Sequence, residues 1–305
     1  MAQQRVERET LQRSDPTVEQ WLHDLARRAA DADGAAPFNE ASMLEISEVE
    51  RFSADGRTVG AAMLRRDAAG ALEAEFAVDP REREKGYGAA LLDAILERPF
   101  SAWAHGDHPG ARALAERYGL RRDRVLLQLM ADLMERDDAD RVGEREVAGA
   151  NVARAPEGYL FDLFREGEDE AEWVALNARV FADHPEQGRI TVETLAPRLA
   201  ENGADDFLVA RDAGGRMRGY CWLKLGSDDQ GEVGEVYVIG VDPGESGRGL
   251  GRALLESGLA RLRARGIRRS NLYVEADNEP ALRLYRAFGY RDHTVDVLYR
   301  RDADR

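Results

Sequence analysis

One long pattern occurs twice in this sequence. "EAEFAVDPREREKGYGAALLDAIL" (73–96) and "VYVIGVDPGESGRGLGRALLESGL" (236–259) share an apolar run, an Asp-Pro break, a glycine turn and an amphipathic stretch. Asp79 and Asp242 are 163 positions apart, and so are Gly86 and Gly249. Further on, "ARALAERYGL" and "ALRLYRAFGY" repeat in the same order. A shared succession of strand, turn, helix, second helix and aromatic-Gly ending predicts a duplicated domain.

The length of the chain fits this duplication. It has 305 residues, enough for two domains that each bury their own core. Between the copies, "MERDDADRVGEREVAGANVARAPEGY" is charged and poor in large apolar residues, which is typical of a linker. We expect an N-terminal domain at 1–136, a linker at 137–157 and a C-terminal domain at 158–305.

The second copy has the clearer secondary-structure signals. "DEAEWVALNARVF" has helical spacing, and "DDFLVAR", "GRMRGYCWLKL" and "EVYVIGV" are typical of strands. After the glycine turn comes a helix with leucines on one face, then "SNLYVEA" as a strand, "EPALRLYRAFG" as a helix and "HTVDVLYR" as a last strand. The order predicts the α+β class, with a central, mostly antiparallel sheet flanked by helices in each copy.

Composition excludes several classes of function. The net charge of −15 and the pI near 4.9 argue against a nucleic-acid partner, which needs a basic face. Cys221 is the only cysteine, and His184 has no partner at metal-ligand spacing, so we expect neither a disulfide framework nor a metal. No apolar run is long enough to cross a bilayer. We expect a cytoplasmic monomer that acts on a small molecule and binds no membrane.

The glycine turn of the second copy fits neither of two common phosphate-binding motifs. Gly244 and Gly249 have the spacing of a Walker A loop, but Leu250 follows where lysine is required. Counting from Gly247 and Gly249, the third glycine of a dinucleotide fingerprint is replaced by Arg252. What remains is a G-x-G at a helix start, where exposed amide N–H groups and the helix dipole receive a pyrophosphate.

This turn resembles the pyrophosphate loop of the GNAT superfamily of N-acetyltransferases, Gln/Arg-x-x-Gly-x-Gly/Ala. The first copy matches in full, from Arg83 through Gly86 to Gly88. The second has Ser246 at the first position and keeps Gly249 and Gly251. An ordinary strand-to-helix turn with glycines is the alternative.

The resemblance implies that acetyl-CoA binds in both copies. In the first copy, the implied coenzyme contacts are Val78, Asp79, Pro80, Lys85, Gly86, Tyr87, Gly88, Ala89 and Ala90. In the second copy, they are Ile239, Gly240, Val241, Ser246, Gly247, Arg248, Gly249, Leu250, Gly251, Arg252, Asn278, Glu279, Pro280, Ala281, Leu282 and Arg283.

Acetyl transfer to an amine needs one proton removed from the ammonium and one delivered to the departing thiolate. The resemblance implies Glu235 as the base and Tyr285 as the acid. A solvated strand-end charge and a core aromatic are the alternatives. By the constant offset Glu235 corresponds to Leu72, and the aromatic-Gly endings set Tyr285 against Ala115. We therefore expect catalysis in the second copy and coenzyme binding without turnover in the first.

Further stretches narrow the resemblance. "NARVFADHPEQG", "GEVYVIGVDP" and "LYVEADNEPALRLYRAFGY", in a chain with two copies, resemble the mycothiol synthase family. That family acetylates the cysteinyl amine of cysteinyl-glucosaminyl-inositol in the last step of mycothiol synthesis. The resemblance implies acceptor contacts from Glu40, Glu186, Lys224, Glu235 and Tyr273. Glu40 lies in the first half of the sequence, so the acceptor cleft is expected between the domains.

Two alternatives stay open. The acceptor could be an aminoglycoside, a polyamine or a protein N-terminus, since an acidic cleft attracts any of these cations. A non-catalytic acetyl-CoA-binding regulator is the alternative from another class. The presence of Glu235 and Tyr285 together in one copy argues against it.

Overall fold

A computed structural model describes residues 5–39, 42–43, 46–66, 70–96, 99–133, 145–147, 150–152, 155–182, 187–228 and 230–302. The described helices are α1 Pro16–Asp33, α2 Tyr87–Ile95, α3 Pro109–Tyr118, α4 Glu170–Val180, α5 Val192–Asn202, α6 Leu250–Ala264 and α7 Glu279–Ala287. The strands are β1 Glu7–Gln12, β2 Glu48–Ala54, β3 Arg57–Arg66, β4 Leu72–Val78, β5 Phe100–His105, β6 Arg121–Asp132, β7 Arg145–Val147, β8 Ala150–Val152, β9 Tyr159–Leu163, β10 Phe207–Asp212, β11 Met217–Asp228, β12 Gly231–Val241, β13 Arg269–Glu275 and β14 Arg291–Arg301.

The chain divides into two compact units. The first unit comprises residues 1–128, 275–278 and 292–305. The second unit comprises residues 129–274 and 279–291. The fold class predicted from the sequence is confirmed, because each unit contains a mixed sheet with helices packed on it.

In the first unit the strands lie in the order β1-β2-β3-β4-β5-β14-β6. Neighbours from β1 to β4 are antiparallel, whereas β4 and β5 are parallel. The last strand of the chain, β14, pairs antiparallel with β5. Strands distant in sequence are therefore hydrogen-bonded within this unit.

Helices cover both faces of the sheet in the first unit. On one face, Leu22 and Leu25 of α1 pack against Ala61 and Met63 of β3. On the other face, α2 contributes the apolar side chains Tyr87, Leu91, Leu92 and Ile95, which pack against β-strand residues that include Phe100. The alternation of side chains along β3 places neighbouring residues in different cores.

The second unit repeats this arrangement with strand order β13-β12-β11-β10-β9. Strands β9 to β12 are antiparallel, and β12 and β13 are parallel. On one face α4 and α5 enclose an aromatic core formed by Phe164, Trp173, Phe207, Tyr220 and Trp222. On the other face α6 packs so closely that a Cβ on Gly234 would collide with Leu262.

The predicted linker lies partly outside the described residues. Within it, β7 and β8 form a two-stranded antiparallel sheet. The domain limits at 136 and 158 stay a prediction. Among the helices in the described ranges, none is long and apolar enough to cross a membrane.

Candidate active site

The glycine turn of the second unit joins β12 to α6. Asp242 ends the strand, and its carboxylate accepts a hydrogen bond of 3.1 Å from the Gly244 amide, which starts a short 3₁₀ turn. Gly249 is the N-cap of α6 and has φ +80°, in the left-handed region that favours glycine. The sequence thus directs the chain through a sharp reversal at the end of a central strand.

The N-cap of α6, Gly249, has no side chain with which to cap the first turn of the helix. By contrast, the Asp15 side chain accepts a hydrogen bond from the Thr17 amide at the start of α1. Uncapped amide N–H groups and the positive end of the helix dipole favour an anion. The start of α6 therefore has the chemistry expected for a pyrophosphate.

The first unit builds the same turn from Asp79 to α2. The carboxylate of Asp79 accepts hydrogen bonds from the amide and guanidinium of Arg81 and from Arg28, which hold its pKa far below the usual range. Gly86 is the N-cap of α2, with φ +89° and no side-chain cap. Both units thus present uncapped helix amides behind a positive-φ glycine.

The basic side chains of the two glycine turns form ion pairs with different carboxylates. In the first unit, Arg83 forms hydrogen bonds of 2.5 and 2.7 Å to Asp33, and Lys85 lies 2.8 Å from a carboxylate oxygen of Glu82. In the second unit, Arg248 lies 2.9 Å from Glu245.

Arg252, on the first turn of α6, lies 4.9 Å above the Phe288 ring. Among the described residues Arg252 forms no ion pair. Within that part of the chain, the guanidinium of this loop residue is therefore not paired with a carboxylate.

The two parallel strand pairs separate at one end. β12 and β13 pair only at Gly234 with Ser270 and Glu235 with Asn271, although β12 continues to Val241. In the first unit β4 and β5 pair from Leu72 with Phe100 through Glu75 with Trp103. The predicted coenzyme stretches 78–80 and 239–241 therefore lie beyond the paired part, where backbone amides face a gap between strands.

Glu235 lies at the last pair before this gap. It is opposite Lys224 on β11 and beside Asn271 on β13. Since the Cβ direction of Gly234 points at α6, the alternation of the strand directs Glu235 to the face covered by α4 and α5. Directly paired residues share a face, so these three residues are neighbours on the same face of the sheet.

The remaining acceptor candidates fall near this group or outside the described residues. Lys224 is largely buried, with its Nζ 3.6 Å from a carboxylate oxygen of Glu201 on α5. Tyr273, two residues after Asn271 on the same face of β13, is 45% exposed. Glu40 and Glu186 lie outside the described residues.

Tyr285 lies on α7 and is only 7% exposed. Burial raises the pKa of its hydroxyl, so the group stays protonated over the working range of an enzyme. Its ring packs edge-on against Tyr290, whose hydroxyl lies 2.6 Å from that of Ser270. Within the part of the chain that the structure describes, no other residue is hydrogen-bonded to the Tyr285 hydroxyl.

One sequence-based correspondence is wrong. At a bulge between Trp222 and Leu223 of β11, one residue of β12 is left out of the pairing. The β3–β4 ladder has no such shift. The pair Arg65 with Glu73 therefore corresponds to Lys224 with Glu235.

The parallel ladders give the same result. Glu73 is beside Ser101, as Glu235 is beside Asn271. The constant offset of 163 relates the two units for residues that follow the bulge on β12, but it does not apply to residues that precede it. Glu73, not Leu72, is therefore the counterpart of Glu235. The match of "MLR" to "WLK" on β3 and β11 was the signal in the sequence that could have revealed this.

Comparison with known proteins gives the family. The profile of the Acetyltransferase (GNAT) family matches twice, at residues 13–120 and 169–290. A protein of Clavibacter michiganensis named mycothiol acetyltransferase is 48% identical over 94% of this chain and 92% of its own length. A protein of the same name from Geodermatophilus obscurus is 42% identical over 95% of this chain and 96% of its own length. The chain belongs to the mycothiol acetyltransferase family of GNAT proteins.

Solved structures agree on the fold of this mycothiol acetyltransferase family member. A tandem GNAT protein from the clavulanic acid biosynthesis pathway has a TM-score of 0.74, with 21% identity, and covers 98% of this chain and 99% of its own. A GCN5-related N-acetyltransferase from Sphaerobacter thermophilus has a TM-score of 0.73, also with 21% identity. The predicted family and enzyme class are confirmed: the protein is an acetyltransferase with two tandem GNAT regions. In the described residues no three His, Cys, Asp or Glu side chains are arranged as a metal site.

Proposed function

We propose that this enzyme transfers the acetyl group of acetyl-CoA to the cysteinyl amine of cysteinyl-glucosaminyl-inositol and so forms mycothiol. The observation that carries this proposal is the match, at 42–48% identity and over at least 94% of the chain, to relatives named mycothiol acetyltransferase. The carboxylate and lysine beside the strand gap of the second unit support it. The competing hypothesis is that the acceptor is an aminoglycoside, a polyamine or a peptide amine.

The second unit supplies the catalytic groups in this proposal. Glu235 takes a proton from the acceptor ammonium, and the free amine forms a C–N bond to the thioester carbonyl carbon. As the C–S bond breaks, Tyr285 donates its proton to the departing thiolate, and the second proton that the nitrogen loses on forming the amide restores the neutral phenol. Burial favours the neutral form of Tyr285, which is the form that an acid requires.

Two elements of the second unit would hold acetyl-CoA. The uncapped amides of residues 250–252 fit a pyrophosphate, and Gly249 leaves open space where a Cβ would stand. The free edge of 239–241 beyond the last β13 pair offers backbone groups to the pantetheine amides. The sites at 278–283 and at Lys224 and Tyr273 complete the proposed coenzyme and acceptor contacts.

In the first unit the same loop geometry supports coenzyme binding at 78–80 and 85–90. Glu73 is paired with Arg65, and Ala115 stands where the second unit has Tyr285. We assign this unit a binding role without turnover.

The test offers the full chain acetyl-CoA with each of four amines: the cysteinyl compound, an aminoglycoside, a polyamine and a peptide. Acetylated product and released coenzyme A are measured by mass spectrometry. Turnover at least a hundredfold faster with the cysteinyl compound is expected. Preference for another amine would overturn the acceptor, and binding of acetyl-CoA without turnover on any of them would overturn the enzymatic role.

A further inference from the structure

Asn271 is a buried polar side chain beside the proposed base. It is 9% exposed, and its Oδ1 is buried and has no hydrogen-bond partner among the described residues. It forms the last β12–β13 pair with Glu235. Residues in register on neighbouring strands have backbones about 4.8 Å apart and share one face of the sheet.

An unpartnered buried acceptor is costly, and a nearby donor would remove that cost. A carboxylate only accepts hydrogen bonds, but a carboxyl group that has taken up a proton gains an O–H donor. Glu235 becomes such a donor at the step in which it removes the proton of the ammonium. The amide oxygen of Asn271 is thus suited to the protonated state of its neighbour.

We propose that Asn271 is a positioning residue for proton transfer: its Oδ1 accepts a hydrogen bond from the carboxyl group of Glu235 once that group has taken up the proton. The inference rests on the proposed role of Glu235 as base. The N–H bond of the ammonium breaks and the O–H bond on Glu235 forms, while Asn271 changes no covalent bond. By stabilising the protonated form, Asn271 strengthens the base.

Among the described residues, charged and titratable groups of several elements lie on this face. On β11 Lys224 is opposite Glu235, and on α5 Glu201 lies 3.6 Å from Lys224. On β13 Arg269 and Tyr273 flank Asn271 on the same face, and Arg269 forms an ion pair of 2.5 Å with Asp228 of β11. On β12 itself Tyr237 follows Glu235. From α4, the buried side chains include the apolar Leu176 and the polar Asn177, whose Oδ1 accepts a hydrogen bond from the Tyr220 hydroxyl. Asn271 adds a neutral acceptor to this set.

The first unit supports the inference by contrast. There Ser101 takes the place of Asn271 beside Glu73. Glu73 accepts a hydrogen bond of 2.7 Å from the Nε of Arg65, so this carboxylate already has a charged donor as its partner. The amide occurs only where a carboxylate is proposed to gain and lose a proton.

Two variants give opposite expectations in the pH profile of kcat/KM. Asn271→Leu removes the acceptor, so the acidic limb should move to lower pH by roughly half to one unit, with kcat reduced several-fold. Asn271→Asp places a like charge beside Glu235, so the limb should move to higher pH by about one unit or more. Thermal melting of both variants checks that they are folded.

Ser101→Ala, the matched change in the first unit, should leave the profile unchanged. Unshifted acidic limbs in both folded Asn271 variants, or shifts in the same direction, would overturn the inference. Glu235→Gln separates this from a failure of the proposed function. If Glu235→Gln loses the acidic limb while both Asn271 variants keep it at the wild-type pH, only the role proposed for Asn271 is wrong. If Glu235→Gln is fully active, the assignment of Glu235 as the base is wrong.

Discussion

In both units a carboxylate stands at the paired end of the parallel strands, but its partner across the ladder differs. Glu73 of the first unit is 8% exposed and forms an ion pair of 2.5 Å with the guanidinium of Arg65. In the second unit Glu235 is opposite Lys224, whose ammonium lies near Glu201. A planar guanidinium bonds a carboxylate in a fixed geometry, whereas an ammonium is a point charge on a flexible stem.

The units differ again at the second proton-handling position. The aromatic-Gly endings set Ala115 of α3 against Tyr285 of α7, and both positions are buried. The loops before α2 and α6 keep the same turn, with a positive-φ glycine and uncapped amides. On the proposed assignment, the first unit keeps the backbone that would bind the coenzyme, while its side chains differ at both positions proposed for proton transfer.

The largest expected effect compares the two carboxylates directly. Glu235→Gln should lower kcat by about 10²–10³-fold, because the amide cannot accept the proton of the ammonium. Glu73→Gln should leave kcat within about twofold, since this carboxylate is paired with Arg65. Steady-state rates with the cysteinyl acceptor measure both, and melting curves confirm folding. Equal losses in the two variants would contradict the division of roles.

The second prediction concerns a charge cluster in the first unit. Burial alone would lower the pKa of His105, but Asp296, 3.0 Å away, and Glu75, 3.7 Å away, raise it to about 9. A raised folded-state pKa stabilises the fold below the unfolded value of 6.5, and this stabilisation is lost as the pH rises through about 9. The free energy of unfolding should therefore fall by about 3 kcal/mol between pH 6.5 and 9.

Denaturant titrations at several pH values measure this dependence. His105→Gln should flatten it, and His23→Gln, a change on the exposed surface of α1, should retain it. A wild-type stability that is constant over this pH range would refute the assignment. The second unit has Val238 at the ladder position of Glu75, so no equivalent dependence is expected from it.

The third prediction sharpens the comparison at Tyr285. Tyr285→Phe should reduce kcat by roughly 10- to 30-fold and leave the KM for acetyl-CoA nearly unchanged, because only thiolate protonation is affected. Tyr290→Phe is the matched control: it leaves the buried Ser270 hydroxyl without its partner, so it should lower the melting temperature and preserve kcat. An unchanged kcat in Tyr285→Phe would remove the tyrosine from the reaction.

The repeat in the sequence was enough to predict the fold class and the two glycine turns, because Asp-Pro breaks and positive-φ glycines depend on local backbone chemistry. The counterpart of Glu235 could not be predicted by a constant offset. A bulge beside Trp222 shifts by one position the pairing of every β12 residue that precedes it. Pairing between strands depends on the tertiary structure and not on the local sequence. Asn271 was missed for the same reason: nothing in its local sequence indicates a buried oxygen without a partner.

The smallest expected effect tests whether the two glycine turns serve different purposes. Gly249 and Gly86 have φ of +80° and +89°, and a Cβ on Gly249 would meet no atom of the described residues within 4 Å. An alanine at either position should cost about 1 kcal/mol of stability from the strained backbone. If turnover depends on the second loop alone, Gly249→Ala should also raise the KM for acetyl-CoA several-fold, whereas Gly86→Ala should leave it unchanged. Melting curves and initial rates of the two variants separate these effects, and an equal rise in KM for Gly86→Ala would mean that the first loop also takes part in turnover.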